Sequence, residues 1–295
     1  MVDTLVSGTS ALYGAWRFDS SLAHHCTYAQ KDPPGSFCYT RLMTKKPGYA
    51  AKPLDGGWGQ DNAPEKIGDA VHRELSENSD YVHKVLTFLD KSGYKFAPKY
   101  LGIDDQSREM VEYIAGYVPH GQEIPPETWS LSTMESIFKR IRDLHDLTAG
   151  TELADKSECV CHGDLSYANT VYRNGKAVAF IDWDWAHPGS RIDDVGYALL
   201  QYLSLGEYES DGGPEERADL TLKLSNAYGL AEEQKRQLFD RMLQSLLSTR
   251  DKQLESARLG KPSGIRLAEA GVPEHMLKRH KWLKHNERTF RQVLK

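Results

Sequence analysis

One stretch constrains this chain more than any other. His162-Gly163-Asp164-Leu165-Ser166-Tyr167-Ala168-Asn169 is followed thirteen residues later by Asp182, in Ile181-Asp182-Trp183-Asp184. Between the two lies Arg173-Asn174-Gly175-Lys176, and Asn-Gly between apolar runs is a strong hairpin signal. Glu158-Cys159-Val160-Cys161 reads as a strand delivering the His-Gly-Asp loop, and Thr170–Tyr172 and Ala177–Ile181 read as the hairpin's arms. Asp164 and Asn169 then share one loop, and Asp182 emerges at the end of the returning strand. Phosphoryl transfer needs groups at this spacing: a carboxylate to take the acceptor hydroxyl's proton, and oxygen ligands for a magnesium ion bridging nucleotide phosphates. Plainer roles exist, since an Asp beside Gly often closes a turn or caps a helix. A carboxylate ending an apolar strand is harder to account for without a partner or a metal.

The His162–Asn169 block, Ile181-Asp182-Trp183 and Arg191-Ile192-Asp193-Asp194-Val195-Gly196-Tyr197 resemble the aminoglycoside phosphotransferase and choline kinase-like enzymes. Val71-His72-Arg73, Leu101-Gly102-Ile103-Asp104 and Asp182-Trp183-Asp184 look most like the bacterial members whose substrates are poorly defined. The resemblance spans residues 54–294 and is densest at 159–200. It implies an α+β, protein-kinase-like two-lobed fold, with a small sheet-rich N-lobe and a larger, mainly helical C-lobe. It further implies Asp164 as base, Asn169 and Asp182 as magnesium ligands, His162 as a holder of the loop, and Asp194 as a brace from a helix start. Asp184 stands between support of a second metal and plain solvation, and Asp193-Asp194 could be only an N-cap pair.

Upstream, such a fold needs a glycine-rich loop, a strand cation for the phosphates, a helix and a hinge. Leu54-Asp55-Gly56-Gly57-Trp58-Gly59-Gln60 is glycine-rich without being G-x-G-x-x-G, and Gly57 is its candidate phosphate contact. Arg73 stands where the family carries a Lys or Arg, and its planar fork suits phosphate. A helix is expected to start at Ser79, with Tyr81, Val82, Val85, Leu86 and Leu89 on one face. The acidic partner normally found on that helix is not evident, since Glu74 and Glu77 precede it. Glu109–Ile114 reads as a strand whose backbone at Glu112 to Ile114 would receive the adenine edge.

The 295 residues suffice for two lobes, divided here into an N-terminal arm (1–53), an N-lobe (54–115) and a C-lobe (116–295). A net charge of −5 argues against phosphate-driven nucleic-acid binding. Neither a membrane span nor a signal peptide is legible, so a cytoplasmic chain is expected. His24, His25, Cys26 and Cys38 satisfy no zinc spacing. Cys159 and Cys161 are read as pointing to opposite faces of their strand, unbonded. Helices are expected over a stripe from Leu131 to His145, from Glu215 to Tyr228, through Leu238–Leu247 to Gly260, and once more through Met276–Val293. His145 is expected to be a core hydrogen-bonder. The acidic run from Glu207 to Asp219 is either a solvated loop or an attractor for an amine-bearing substrate, and Lys278, Arg279, Lys281 and Lys284 read as a wet helix face.

The expected function is transfer of the γ-phosphate of ATP or GTP to a hydroxyl of a small molecule, with aminoglycosides, choline-like amines, amino alcohols and sugars all admissible as acceptors. Two alternatives stay open: a catalytically silent nucleotide-binding protein of the same fold, and a metal-dependent hydrolase built from His162, Asp164, Asp182 and Asp184.

Overall fold

The computed structural model describes residues 51–54, 63–119, 126–207 and 213–295. Gly57 with its glycine-rich stretch, the His24–Cys38 group and the acidic residues Glu209 and Asp211 lie outside the described residues.

The first half builds an antiparallel sheet of five strands in the order β1-β2-β3-β5-β4. These are β1 (Lys52–Pro53), β2 (Glu65–Ile67), β3 (Ala70–Arg73), β4 (Tyr100–Ile103) and β5 (Glu109–Glu112). Helix α1 (Ser79–Lys91) begins where expected and buries Val82, Val85, Leu86 and Leu89, the apolar stripe that its 3.6-residue period presents to one side. The hinge strand is shorter than expected. It ends at Glu112, whose amide bonds Lys99 O at 2.8 Å, and the Tyr113 amide bonds Asp69 O at 2.8 Å.

The second half is mainly helical: α2 (Leu131–Thr148), α3 (Arg191–Tyr202), α4 (Pro214–Tyr228) and α5 (Glu232–Arg258), then α6 (Pro262–Glu269), α7 (Val272–His285) and α8 (Glu287–Val293). Ser130 caps α2 by accepting from the Thr133 amide at 3.2 Å, which satisfies one orphan donor of the first turn. Ile137, Phe138, Ile141 and Leu144 of α2 are fully buried with Val195 and Leu199 of α3 and Phe239 and Met242 of α5. Each such side chain contributes about 1.5–3 kcal/mol by leaving water. Upon this core sit two ribbons. Strand β6 (Cys159–Cys161) pairs with β9 (His187–Gly189), and β7 (Thr170–Arg173) pairs with β8 (Lys176–Phe180). Asn174 and Gly175 turn the second ribbon with φ of 49° and 71°, the double left-handed geometry that makes Asn-Gly such a strong signal.

Three expectations fail here. The last helical run is not one helix: it breaks at Asn286 between α7 and α8, and α6 precedes them. Arg279 does not belong to the wet face, for only Lys278, Lys281 and Lys284 are exposed. The Arg279 guanidinium is buried, donating from Nε to Leu205 O (2.9 Å) and from Nη2 to Leu200 O (2.6 Å), and pairing through Nη1 with Glu207 (3.0 Å). It thus serves one carbonyl in the last turn of α3, which also accepts the Leu205 amide, and one in the segment that follows. Finally, Cys159 and Cys161 share a face, as residues two apart in a strand must. Their sulfurs lie within 4.8 Å of each other and of a His145 ring nitrogen. The thiols are free and reach toward the carbonyls of Gly189 (3.9 Å) and Ser190 (3.4 Å). His145 spends both nitrogens on Tyr228 (2.7 Å) and Asp194 (3.0 Å), as a core hydrogen-bonder does.

Candidate active site

Asp164 sits just beyond β6 on the expected loop. Its Oδ1 accepts from the Tyr197 hydroxyl at 2.5 Å, and its Oδ2 accepts from Asn169 Nδ2 at 2.8 Å. Burial pushes its carboxyl up to about 7, helped by the nearby charge of Asp182 and opposed by the two hydrogen bonds. Asn169 also donates to the Asp164 carbonyl at 2.9 Å, so its amide nitrogen is spent inside the loop. The Ile181 amide donates to Asn169 O at 2.9 Å, which fastens the segment that carries Asp182 to the loop that carries Asp164.

The loop is held from beneath. Asp194, fully buried on α3, accepts from the amides of His162 and Gly163, each at 3.0 Å, and from His145. Burial works against its charge, but the bonds from His145 and Gly163 and the nearby His162 outweigh it and hold the carboxyl below its usual range. Asp194 is therefore more than an N-cap, as the resemblance implied. His162 accepts the Asp164 amide at Nδ1 (3.3 Å) and donates from Nε2 to Ile181 O (3.2 Å). Burial lowers its imidazole to about 4, so it stays neutral and structural. Both nitrogens being taken, His162 is unavailable as the metal ligand that the hydrolase alternative needs. Gly163 has φ 80°, and a Cβ there would stand 2.3 Å from the Trp185 carbonyl oxygen.

The sheet contributes Arg73. Its Nε lies 2.6 Å from Glu109, its Nη2 2.6 Å from Asp184, and its Nη1 3.4 Å from Asp182. The Glu109 contact is a charge contact and not a linear hydrogen bond, for Arg73 Nε and Glu109 Oε1 are both buried without a hydrogen-bond partner. Burial opposes the guanidinium's charge, but Asp184, Glu109 and Asp182 outweigh it. Glu109 is the acidic partner that sequence reasoning missed. It comes from β5, directly across the sheet from Arg73, and not from the helix. Helix α1 instead supplies His83, whose Nε2 lies 2.6 Å from Glu109 Oε2 and whose ring stacks on Tyr100. Asn78 at the head of α1 donates to the carbonyls of Asp184 (2.9 Å) and Ala186 (2.8 Å), tying helix to metal loop.

Asp182 itself holds φ 62°, a left-handed conformation costly for a non-glycine residue. Burial and the charge of Asp184 push its carboxyl up, against Arg73. Asp182, Asp184 and Glu109 thus crowd one guanidinium, an excess of negative charge made of hard oxygen donors. That donor set fits a hard divalent cation such as Mg²⁺.

A family model described as "Phosphotransferase enzyme family" matches residues 27–239. The chain belongs to that family. The match begins upstream of residue 54, where the resemblance was expected to start, and ends in α5. Among curated relatives, the trifolitoxin immunity protein of Rhizobium leguminosarum bv. trifolii is 28% identical over 199 residues, 60% of this chain and 74% of the relative. Among solved structures, the amicoumacin kinase hAmiN with AMP-PNP, Ca²⁺ and Ami superposes with a TM-score of 0.55 at 13% identity, covering 77% of this chain and 87% of the other. Plasmodium vivax ethanolamine kinase gives 0.54 at 15% identity, covering 78% and 83%. The GDP complex of aminoglycoside 2'-phosphotransferase-IIIa gives 0.53 at 16%, covering 79% and 93%. At these identities the likeness is one of fold, and the phosphotransferase chain has the protein-kinase-like, two-lobed α+β architecture.

Proposed function

We propose that the protein transfers the γ-phosphate of ATP or GTP to a hydroxyl of a small molecule. The observation that carries this is Asp164, a carboxylate raised to about 7 that accepts from Asn169 and feels the charge of Asp182, which in turn pairs with Arg73. A base is most effective when its pKa lies near the working pH. In this reading Asp164 orients the acceptor hydroxyl and takes its proton as the oxygen attacks phosphorus. Asn169, whose Nδ2 is spent on Asp164, offers its amide oxygen with the Asp182 carboxylate as the magnesium ligands, and Asp184 supports them. Magnesium bound there would offset the charge of the bridging phosphate oxygens. Arg73, released from part of its carboxylate company, steadies the phosphates. The amides of Glu112 and Tyr113 are spent within the sheet region, which leaves Ile114 as the hinge amide for the adenine edge and limits Glu112 to its carbonyl. The N-terminal arm (1–53), 54–115 and 116–295 remain the proposed divisions of the chain.

The silent-protein alternative loses one of its grounds, since Glu109 supplies the acid the clamp lacked. The test is a melting experiment with and without Mg-ATP and Mg-GTP, followed by assay of phosphate transfer to ethanolamine, gentamicin and streptomycin. At about a hundred times Kd the nucleotide should add roughly 2.7 kcal/mol, a rise of a few degrees. The rise should need magnesium and vanish in Asp182→Ala. A magnesium-independent rise, or none, would refute the metal assignment. Binding without transfer to any acceptor would favour the silent alternative.

A further inference from the structure

Tyr197 belongs to the family-like block Arg191–Tyr197, yet none of the roles above uses it. It lies three residues after Asp194 on α3, and residues three apart share a helix face. Both side chains therefore point at the same loop from one rigid element. Asp194 takes the amides of His162 and Gly163, and Tyr197 donates its hydroxyl to Asp164 Oδ1 at 2.5 Å, the short end of a charge-assisted O–H···O⁻ bond. Resting on the reading of Asp164 as base, we propose that Tyr197 is a positioning residue that fixes the plane of the Asp164 carboxylate and so aims its proton-accepting lone pair at the acceptor hydroxyl.

The geometry leaves few other ways to hold that carboxylate. Asp164 follows a glycine in left-handed conformation, so its backbone sits in a tight bend, while its side-chain carboxylate can still rotate about its last bond. One hydrogen bond fixes one oxygen, and two bonds, one per oxygen, fix the plane. The bond to Oδ2 comes from Asn169, which sits on the same loop and whose amide oxygen is a proposed metal ligand. The bond to Oδ1 comes from outside the loop and does not depend on the metal. Each carboxylate oxygen has two acceptor sites, so Tyr197 does not exclude the acceptor's hydroxyl. Tyr197 is itself held. Gln201, one turn further along α3, hydrogen-bonds its hydroxyl and lies 3.5 Å from Nη1 of the buried Arg279. Burial and the charge of Asp164 push the Tyr197 phenol well above its ordinary value, so it remains a donor throughout the neutral range. The chain Asp164–Tyr197–Gln201–Arg279 thus runs from the base to α7.

The test is Tyr197→Phe, which removes only the hydroxyl, assayed for ATP consumption with ethanolamine, gentamicin, streptomycin or water as acceptor. Misplacing a reacting group slightly costs up to roughly a hundredfold, so kcat should fall by about ten- to a hundredfold with KM for Mg-ATP unchanged. The magnesium-dependent rise in melting temperature should persist. Gln201→Leu, which leaves the hydroxyl in place and loosens its support, should give a smaller drop in kcat and covers the case in which Tyr197→Phe fails to fold. Wild-type kcat in both variants, or a loss confined to melting temperature, would overturn the role of Tyr197 while leaving the phosphotransferase reading intact. If the wild type binds Mg-ATP but consumes it with none of these acceptors, the reading of Asp164 as base falls, and the role of Tyr197 falls with it.

Discussion

The two sides of the candidate site are built on different chemistry. On the helical side, the base loop is held by hydrogen bonds of fixed geometry: Asp194 to two amides, Tyr197 to the carboxylate, His162 to the metal-loop strand. On the sheet side, one Arg73 guanidinium is shared among three carboxylates, through hydrogen bonds to Asp184 (2.6 Å) and Asp182 (3.4 Å) and a charge contact to Glu109 that lacks hydrogen-bond alignment. Hydrogen bonds to backbone amides are directional and hold one arrangement. A guanidinium shared among several carboxylates trades partners readily. The loop around Asp164 is thereby held in one arrangement, whereas the Arg73 side is closed upon itself by its own carboxylates and, in the proposed function, would exchange them for phosphate and metal.

If this contrast is sound, Asp164→Ala should lower kcat by roughly a thousandfold, within the range for loss of a general base, with nucleotide affinity nearly unchanged. Steady-state kinetics beside a nucleotide titration checks it, and a weakened nucleotide affinity would mean the two sides are not separable. Arg73→Met leaves three carboxylates facing one another and should cost about 3–5 kcal/mol in metal-free protein. Added Mg²⁺ should recover part of that loss, which urea denaturation with and without magnesium would reveal. Equal loss in both conditions would place the damage elsewhere than in charge.

The raised carboxyl of Asp164 predicts a pH-dependent stability. Its folded value is about 7 against an ordinary 3.8, so the folded protein binds the extra proton between those limits. The destabilising effect is fully present above about pH 7 and is relieved as pH falls toward 3.8. Without magnesium, Asp164→Asn should therefore be more stable than wild type at pH 8, by roughly 2–4 kcal/mol before the loss of its hydrogen bonds is counted. The gap should narrow by pH 5. Melting curves at both pH values test the sign. The smallest expected effect belongs to His83→Phe, which keeps the stacking on Tyr100 and removes one contact to Glu109, for about 1 kcal/mol. A larger cost there would show that the clamp depends on α1 as much as on β5.

What was legible in the sequence was local. The Asn-Gly hairpin forms as expected, with Asp164 and Asn169 on the loop before it and Asp182 after its returning arm, although a bulge between Val171 and Tyr172 shifts the register that the turn alone would set. Helices α1 and α2 were legible from their 3.6-residue period, whereas the Ser130 cap of α2 was not singled out. Glu109 was hidden because its partnership with Arg73 is a matter of strand register between β3 and β5, which neither stretch encodes alone. Tyr197 was visible as an aromatic three residues from Asp194, but its contact depends on where the loop carries Asp164. Arg279 misled because it sits among exposed lysines, and its burial is set by the end of α3 that it covers.

The bend at Gly163 bears on how such a protein could be altered. Because no side chain fits between it and the Trp185 carbonyl, the base loop and the metal loop touch backbone to backbone. Their separation works as a fixed gauge, set without side chains and hence closed to tuning by ordinary substitution. A library built to redirect the protein toward a new acceptor should leave position 163 untouched and vary the cleft walls. The exposed side chain of Trp185 is open to such variation, while its carbonyl keeps the contact with Gly163.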